Sequence, residues 1–248
     1  MNSDNDFLID FYISHRGASA LAPENTIAAM ELAKSYGSTW IEVDVRFSRD
    51  MELIVFHDNN FKRIAKLNCP VLDKNYNDLK KFDVGFWFDR SFMGERIPTL
   101  LEVIKFCNHN NINLNIEIKA ERDFAYFIGK KVQKTVEKFW LPGKSLLISS
   151  FDLKPLTQIK ETKKIKKMIL LEKFPKKKYI DKDLSKFIYL GLSLNIVDKD
   201  SVKYLLNLGK KVLVYTVNDP LKAIELKSWG ITSIFTDFPK NFIEINKD

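Results

Sequence analysis

Trp40-Ile41-Glu42-Val43-Asp44-Val45-Arg46-Phe47 leads, through residues 48–52, into Leu53-Ile54-Val55-Phe56-His57. Both runs are rich in β-branched and aromatic residues, which suit a pleated surface. A parallel crossover needs a dozen or more residues, so so short a link makes the two strands a hairpin or a local excursion. Within the first run, residues two apart share a face, which puts Glu42 and Asp44 on one side and Ile41, Val43 and Val45 on the other.

Outward from this pair the pattern changes. Further strand candidates lie at 12–17, 113–119, 145–151, 167–171, 188–194, 211–217 and 233–237, with helical patterns between most of them. Several helices mark their own ends. Thr99-Leu100-Leu101-Glu102 after Pro98 forms a capping box, and Asp219-Pro220 reads as N-cap and first helical position. Gly230 stops the second of these helices, and Gly37 ends a stripe of Ile27, Met30, Ala33 and Tyr36. Alternating strands and helices imply a parallel sheet. Setting aside one member of the hairpin leaves eight strands, the count of a closed α/β TIM (β/α)8 barrel of about 250 residues, and the chain has 248. Residues 59–96 hold few strand signals and an aromatic group, Phe82, Phe86, Trp87, Phe88 and Phe92. They read as a small insertion over the barrel mouth, placed after the strand that ends at His57, within a single catalytic domain spanning 1–248.

Composition narrows the partners. With 45% hydrophobic and 29% charged residues the chain buries a core and is not disordered. Forty basic against 32 acidic residues give +8, which draws anions without naming them. The Lys-rich stretches 160–167 and 176–178 carry no aromatics at stacking intervals, so they read as solvated surface. Nucleic acid is therefore not an expected partner, and a weak contact with a membrane surface is the most these stretches suggest. No window reaches the length of a membrane span, and the first fifteen residues contain Asp4, Asp6 and Asp10 but no Lys or Arg, unlike a secretory signal. Two distant cysteines, Cys69 and Cys107, fit a reducing, cytoplasmic setting. Oligomeric state has no signature in the sequence.

Glu117 and Lys119 repeat the alternation of Glu42 and Asp44. On a barrel strand, covered outside and filled inside, these groups are buried and need counter-ions. On antiparallel strands with one wet face the same alternation would need no explanation. Three carboxylates at strand ends offer only oxygen, which suits Mg²⁺ or Ca²⁺. His15 and His57 each follow a strand candidate, where barrel active sites lie, and a pair of imidazoles can divide proton transfer. His109, in a polar stretch, reads as surface.

In order along the chain, His15-Arg16-Gly17, Pro23-Glu24-Asn25-Thr26, Glu42 with Asp44, His57-Asp58, Glu117-Ile118-Lys119 and Thr236-Asp237 with Pro239 resemble the glycerophosphodiester phosphodiesterase family. Ile97-Pro98-Thr99-Leu100, Ser149-Ser150-Phe151 and Val214-Tyr215-Thr216-Val217-Asn218 add smaller matches. The resemblance implies a TIM barrel that hydrolyses a small-molecule phosphodiester, such as glycerophosphocholine, to an alcohol and glycerol 3-phosphate with a divalent cation. By the same resemblance Glu42, Asp44 and Glu117 hold the metal, His15 and His57 are the acid–base pair in either order, and Arg16 and Lys119 bind phosphate. Tyr215 stands where relatives usually have Trp, which bears on stacking against the head group. A lysophospholipase D, with the aromatics of 82–92 lining a groove for a lipid chain, is the alternative substrate reading. A non-catalytic basic module predicts broken acid–base or ligand positions, and all of them are present.

Overall fold

The computed structural model describes residues 7–121, 123–175 and 183–243. Its elements are β1 (Tyr12–Ser14), α1 (Ile27–Ser35), β2 (Trp40–Phe47), β3 (Leu53–Val55), α2 (Lys62–Ala65), α3 (Tyr76–Leu79), α4 (Leu100–Asn110), β4 (Asn113–Ile118), α5 (Ala125–Phe139), β5 (Leu146–Ser150), α6 (Leu153–Leu156), β6 (Ile165–Leu171), β7 (Tyr189–Ser193), α7 (Lys199–Asn207), β8 (Lys211–Tyr215), α8 (Pro220–Ser228) and β9 (Ser233–Thr236). All strands but β3 pair in parallel, and the ring closes where Ser14 of β1 meets Ile41 of β2. The result is a TIM (β/α)8 barrel. β3 is the antiparallel exception, running from Leu53 against Phe47 to Val55 against Val45. It finds a free edge because β1 stops at Ser14 and leaves the upper half of β2 unpaired on that side.

Local chemistry sets the helix ends. Thr99 and Glu102 form the capping box, Asp219 caps α8 ahead of Pro220, and Gly230 follows in the left-handed region at φ +89°. β6 begins at Ile165, two residues before the sequence suggests, and takes in Lys166 and Lys167 from the Lys-rich stretch. The 176–178 stretch lies outside the described residues.

Strand alternation sorts the side chains into two environments. Ile41, Val43 and Val45 pack outward with Met30 and Ala33 of α1 and Leu100, Val103 and Ile104 of α4. The inward positions near the N-terminal strand ends are apolar: Ile13, Trp40, Leu147, Met168, Tyr189, Leu213 and Phe235 form a separate core. Phe7 closes its base, edge-on to Trp40 at 5.8 Å and to Tyr189 at 5.4 Å. Gly191 of β7 lies close under its neighbours, since an added Cβ would lie 2.4 Å from Leu170 Cδ2 and that side chain would have to shift.

Residues between β3 and α4 build a third cluster from Ile54, Phe56, Phe61, Ile64, Val71, Leu79, Val84 and Ile97. Phe82 packs on it, 5.0 Å from Phe61 at 88°, and Trp87 joins its edge. Phe88 lies edge-on between Trp87 and Phe92. These rings form a small core beneath loops, with Phe86 alone of the five largely exposed.

Candidate active site

One step up each strand from the apolar layer, the inward positions become polar. β2 supplies Glu42 and Asp44 beyond Trp40, and β4 supplies Asn115 and Glu117. Glu42 and Asp44 are sealed from solvent, and Glu117 is 8% exposed. Carboxylate oxygens of the three lie within 4.8 Å of one another, a group able to hold a metal ion. Two cations face them. Arg16 Nε and Lys119 Nζ each lie 3.0 Å from an Asp44 oxygen, and Lys119 also pairs with Glu117. Burial alone would raise Asp44, but Arg16 and Lys119 together hold it well below the usual carboxylate range. Glu42 and Glu117 are both raised, first by burial and then by the charge of Asp44. Three acids against two cations leave an excess of negative charge. Glu42 Oε1 and Asn115 Oδ1 are buried with no hydrogen-bond partner among the described residues. An all-oxygen donor set with orphaned oxygens fits a hard divalent cation.

The loop after β1 is folded for this site. Arg16 and Gly17 both adopt positive φ, 55° and 84°, and the reversal turns the Arg16 N–H onto Glu42 Oε2 at 2.9 Å. A Cβ on Gly17 would sit 2.6 Å from the Ala29 carbonyl carbon, so the loop presses directly on α1. Asn25, at φ 60°, accepts the Asp44 N–H at its side-chain oxygen, 3.1 Å away, and donates from Nδ2 to Asp44 Oδ2 at 2.8 Å.

The two histidines are held alike. His15 Nδ1 lies 2.6 Å from Asp237 Oδ1, and His57 Nδ1 lies 2.7 Å from Asp58 Oδ1. Burial would raise Asp237, but hydrogen bonds from His15, Asn218 and Ser19 bring it down to about 2. Asp58 is lowered too, because hydrogen bonds from Arg63 and His57 outweigh its burial. Ionised acceptors keep a proton on each Nδ1, which leaves each Nε2 as the ring atom that can exchange a proton with a bound molecule. His15 Nε2 stands 4.0 Å from Glu42 Oε2. Burial lowers His57 below the ordinary imidazole range despite the pull of Asp44.

A pocket of about 230 Å³ opens here, lined by His15, Arg16, Glu42, His57, Asn115, Glu117, Lys119 and Tyr215 together with Ser149, Phe151 and Glu172. Of the expected site residues only Asp44 is not in that lining, being covered by Arg16 and Lys119. None of Phe82, Phe86, Trp87, Phe88 and Phe92 lines it. His109 is found on α4, away from this face.

Sequence reasoning gave no role to the residues that hold the site together. Arg63 on α2 grips Glu24 with two nitrogens at 2.8 Å and Asp58 at 2.8 and 3.1 Å. Glu24 in turn accepts from Arg16 at 2.9 Å. A continuous charged chain therefore runs from Arg16 through Glu24, Arg63 and Asp58 to His57. Asn218 donates to Asp237 Oδ2 at 2.8 Å and accepts its N–H at 2.9 Å. Glu24, Asn25, Asp58 and Asp237 stood inside recognisable motifs, whereas Arg63 had no such signal.

Comparison with known proteins gives one direction. The family model described as "Glycerophosphoryl diester phosphodiesterase family" matches residues 15–241. A glycerophosphodiester phosphodiesterase of Bacillus subtilis is 28% identical, with 95% of this chain and 86% of that protein aligned. One from Caldanaerobacter subterraneus is 37% identical over 60% of this chain and 61% of its own. Among solved structures, a phosphodiesterase of Oleispira antarctica in complex with the product sn-glycerol-3-phosphate superposes with a TM-score of 0.91 at 29% identity, covering 100% of both chains.

Proposed function

Since the chain belongs to the glycerophosphoryl diester phosphodiesterase family, we propose that it is a phosphoric diester hydrolase cleaving glycerophosphodiesters, such as glycerophosphocholine, to an alcohol and glycerol 3-phosphate. The observation that carries this reading is a pair of imidazoles, each fixed through Nδ1 by an ionised carboxylate, at a pocket beside a cluster of three buried acids. Glu42, Asp44 and Glu117 are the residues for a divalent cation, Mg²⁺ or Ca²⁺. When bound, that ion neutralises charge on the phosphoryl oxygens.

The remaining work falls to the protein's own groups. Arg16 and Lys119 bind the phosphate from the side of the carboxylates, Arg16 as a planar donor and Lys119 as a point charge. Their positions are set before substrate arrives, so the electrostatic stabilisation of the transition state needs little reorganisation. His15 Nε2 takes the proton of the nucleophile, and Asp237 stabilises the imidazolium that results. His57 acts in its imidazolium form, with Asp58 behind it, and gives its Nε2 proton to the leaving alcohol oxygen. Tyr215 lies along the wall by the leaving group. The nucleophile is water or the neighbouring glycerol hydroxyl, and a cyclic phosphate among early products identifies the latter.

The same proposal takes 1–248 as one catalytic domain, with 59–96 inserted over the mouth and carrying Arg63. It takes the setting as cytoplasmic, in keeping with two free thiols at Cys69 and Cys107. Among the described residues no helix is long and apolar enough to cross a membrane. The test is hydrolysis of glycerophosphocholine before and after chelation, with Mg²⁺ and Ca²⁺ restored separately. Loss on chelation and recovery with one of the ions is expected; full activity after complete metal removal would overturn the mechanism.

A further inference from the structure

Charge is distributed unevenly around the pocket. Arg16 and Lys119 sit beside the carboxylate cluster, while Glu172, one residue beyond β6, brings an exposed acid to the opposite wall. Among the described residues Glu172 has no ion pair or hydrogen bond to occupy it. Its chain neighbour Lys173 is not part of the lining.

Beside Glu172 stands an aromatic corner. The rings of Phe151 and Tyr215 meet edge to face at 5.8 Å and 88°. Phe151 is 42% exposed, which leaves part of its ring open beside Lys119. Tyr215 donates its hydroxyl to the carbonyl of Leu171 at 2.9 Å, which fixes the ring next to residue 172. Burial, then Glu172 and Glu117, push the Tyr215 phenol upward, and it stays neutral. Lys119 Nζ lies 5.7 Å from the centre of the Phe151 ring. A phosphate held by Lys119 would have one of its two ester substituents within reach of this wall.

We infer that Phe151, Tyr215 and Glu172 form a subsite for a cationic alcohol, an ammonium group seated on the two rings with the carboxylate as its counter-charge. A quaternary or primary ammonium gains from the ring faces and from the carboxylate at once. A neutral alcohol such as glycerol has no charge to return to Glu172. Substrates with choline or ethanolamine head groups are accordingly preferred over those with neutral ones.

The inference rests on the phosphodiesterase reading above, and the experiment separates the two. The metal-loaded full chain is assayed on glycerophosphocholine, glycerophosphoethanolamine and glycerophosphoglycerol, and kcat/KM is compared as a ratio of cationic to neutral substrate. Glu172→Gln lowers that ratio about 3- to 10-fold, mainly through KM, and Glu172→Lys lowers it further. Phe151→Leu lowers it about 2- to 5-fold. Thermal melts of the exposed-site variants check that each is folded. Hydrolysis with a ratio unmoved by both Glu172 variants would overturn the subsite alone. No hydrolysis of any of the three substrates would overturn the activity reading, and the subsite with it.

Discussion

Trp40 and Glu42 stand two residues apart on one strand, both fully inside the barrel, yet they belong to opposite worlds. The layer of Trp40, Leu147, Met168, Tyr189 and Leu213 is dry and apolar. The layer above it, from Glu42 and Asp44 across to Glu117 and Lys119, buries charge that folding alone would not choose. Burial of a carboxylate costs several kcal/mol unless it is paired, and three acids with two cations leave part of that cost standing. The lower layer holds the barrel together, and the upper layer is maintained against its own electrostatics. The contrast teaches that burial on a barrel strand does not by itself tell core from site; what the neighbours at the same height contribute does.

Variants in the two layers should separate stability from activity. The largest effect belongs to the histidines of the upper layer. His57→Ala or His15→Ala is expected to lower kcat by about 10³-fold or more with the melting temperature nearly unchanged, as steady-state kinetics and thermal melts would report. If either loss were matched by unfolding, the two layers would not be separable. Trp40→Ala is the mirror experiment. Denaturant unfolding should give a loss of about 3–5 kcal/mol, because the cavity would open at the base of the barrel beside Phe7.

Asp237 joins both accounts. With its pKa at about 2 in the fold and near 3.8 unfolded, it contributes roughly 2 kcal/mol of stability. A lowered pKa stabilises above the unfolded value, so the contribution is present above about pH 4 and is lost as pH falls toward 2. Acid unfolding of Asp237→Asn should show a deficit of that size at pH 6 that closes over this range. His57 runs the other way. Its pKa is lowered, so the unfolded chain takes the proton first and stability declines as pH falls below about 6.5. In His57→Gln that part of the slope between pH 7 and 5 should disappear from melts of the metal-free protein.

The smallest expected effect lies outside both layers. Arg63→Gln removes the link between Glu24 and Asp58, and should cost about tenfold in kcat by loosening Arg16 and His57 together. Arg63→Lys cannot make both bidentate contacts and should recover only part of that loss. An unchanged pH–rate profile and kcat in Arg63→Gln would limit this chain to a surface ion-pair network.

Much of this was readable before the fold was known, and the readable parts share a cause. The hairpin of β2 and β3 follows from the short link at 48–52, since no parallel connection fits that length. The common face of Glu42 and Asp44, and of Glu117 with Lys119, follows from the two-residue repeat of a strand. Helix caps at Thr99 and Asp219 follow from local hydrogen bonding. Some boundaries shifted for local reasons as well. β1 ends at Ser14 because Arg16 and Gly17 take the left-handed region, where a strand cannot continue.

What the sequence determined by itself, then, is everything written in distances of a few residues: which segments are strands, which side chains share a face, and which residue types have the chemistry for a phosphodiester. What only the tertiary structure decided is partnership. His15 meets Asp237 across 222 positions, Arg63 meets Glu24 across 39, and Asn25 reaches Asp44 across 19. Such contacts carry no local period, because they are produced by the closing of the ring of strands, which brings β1 and β9 side by side and sets loops from distant parts of the chain around a single rim.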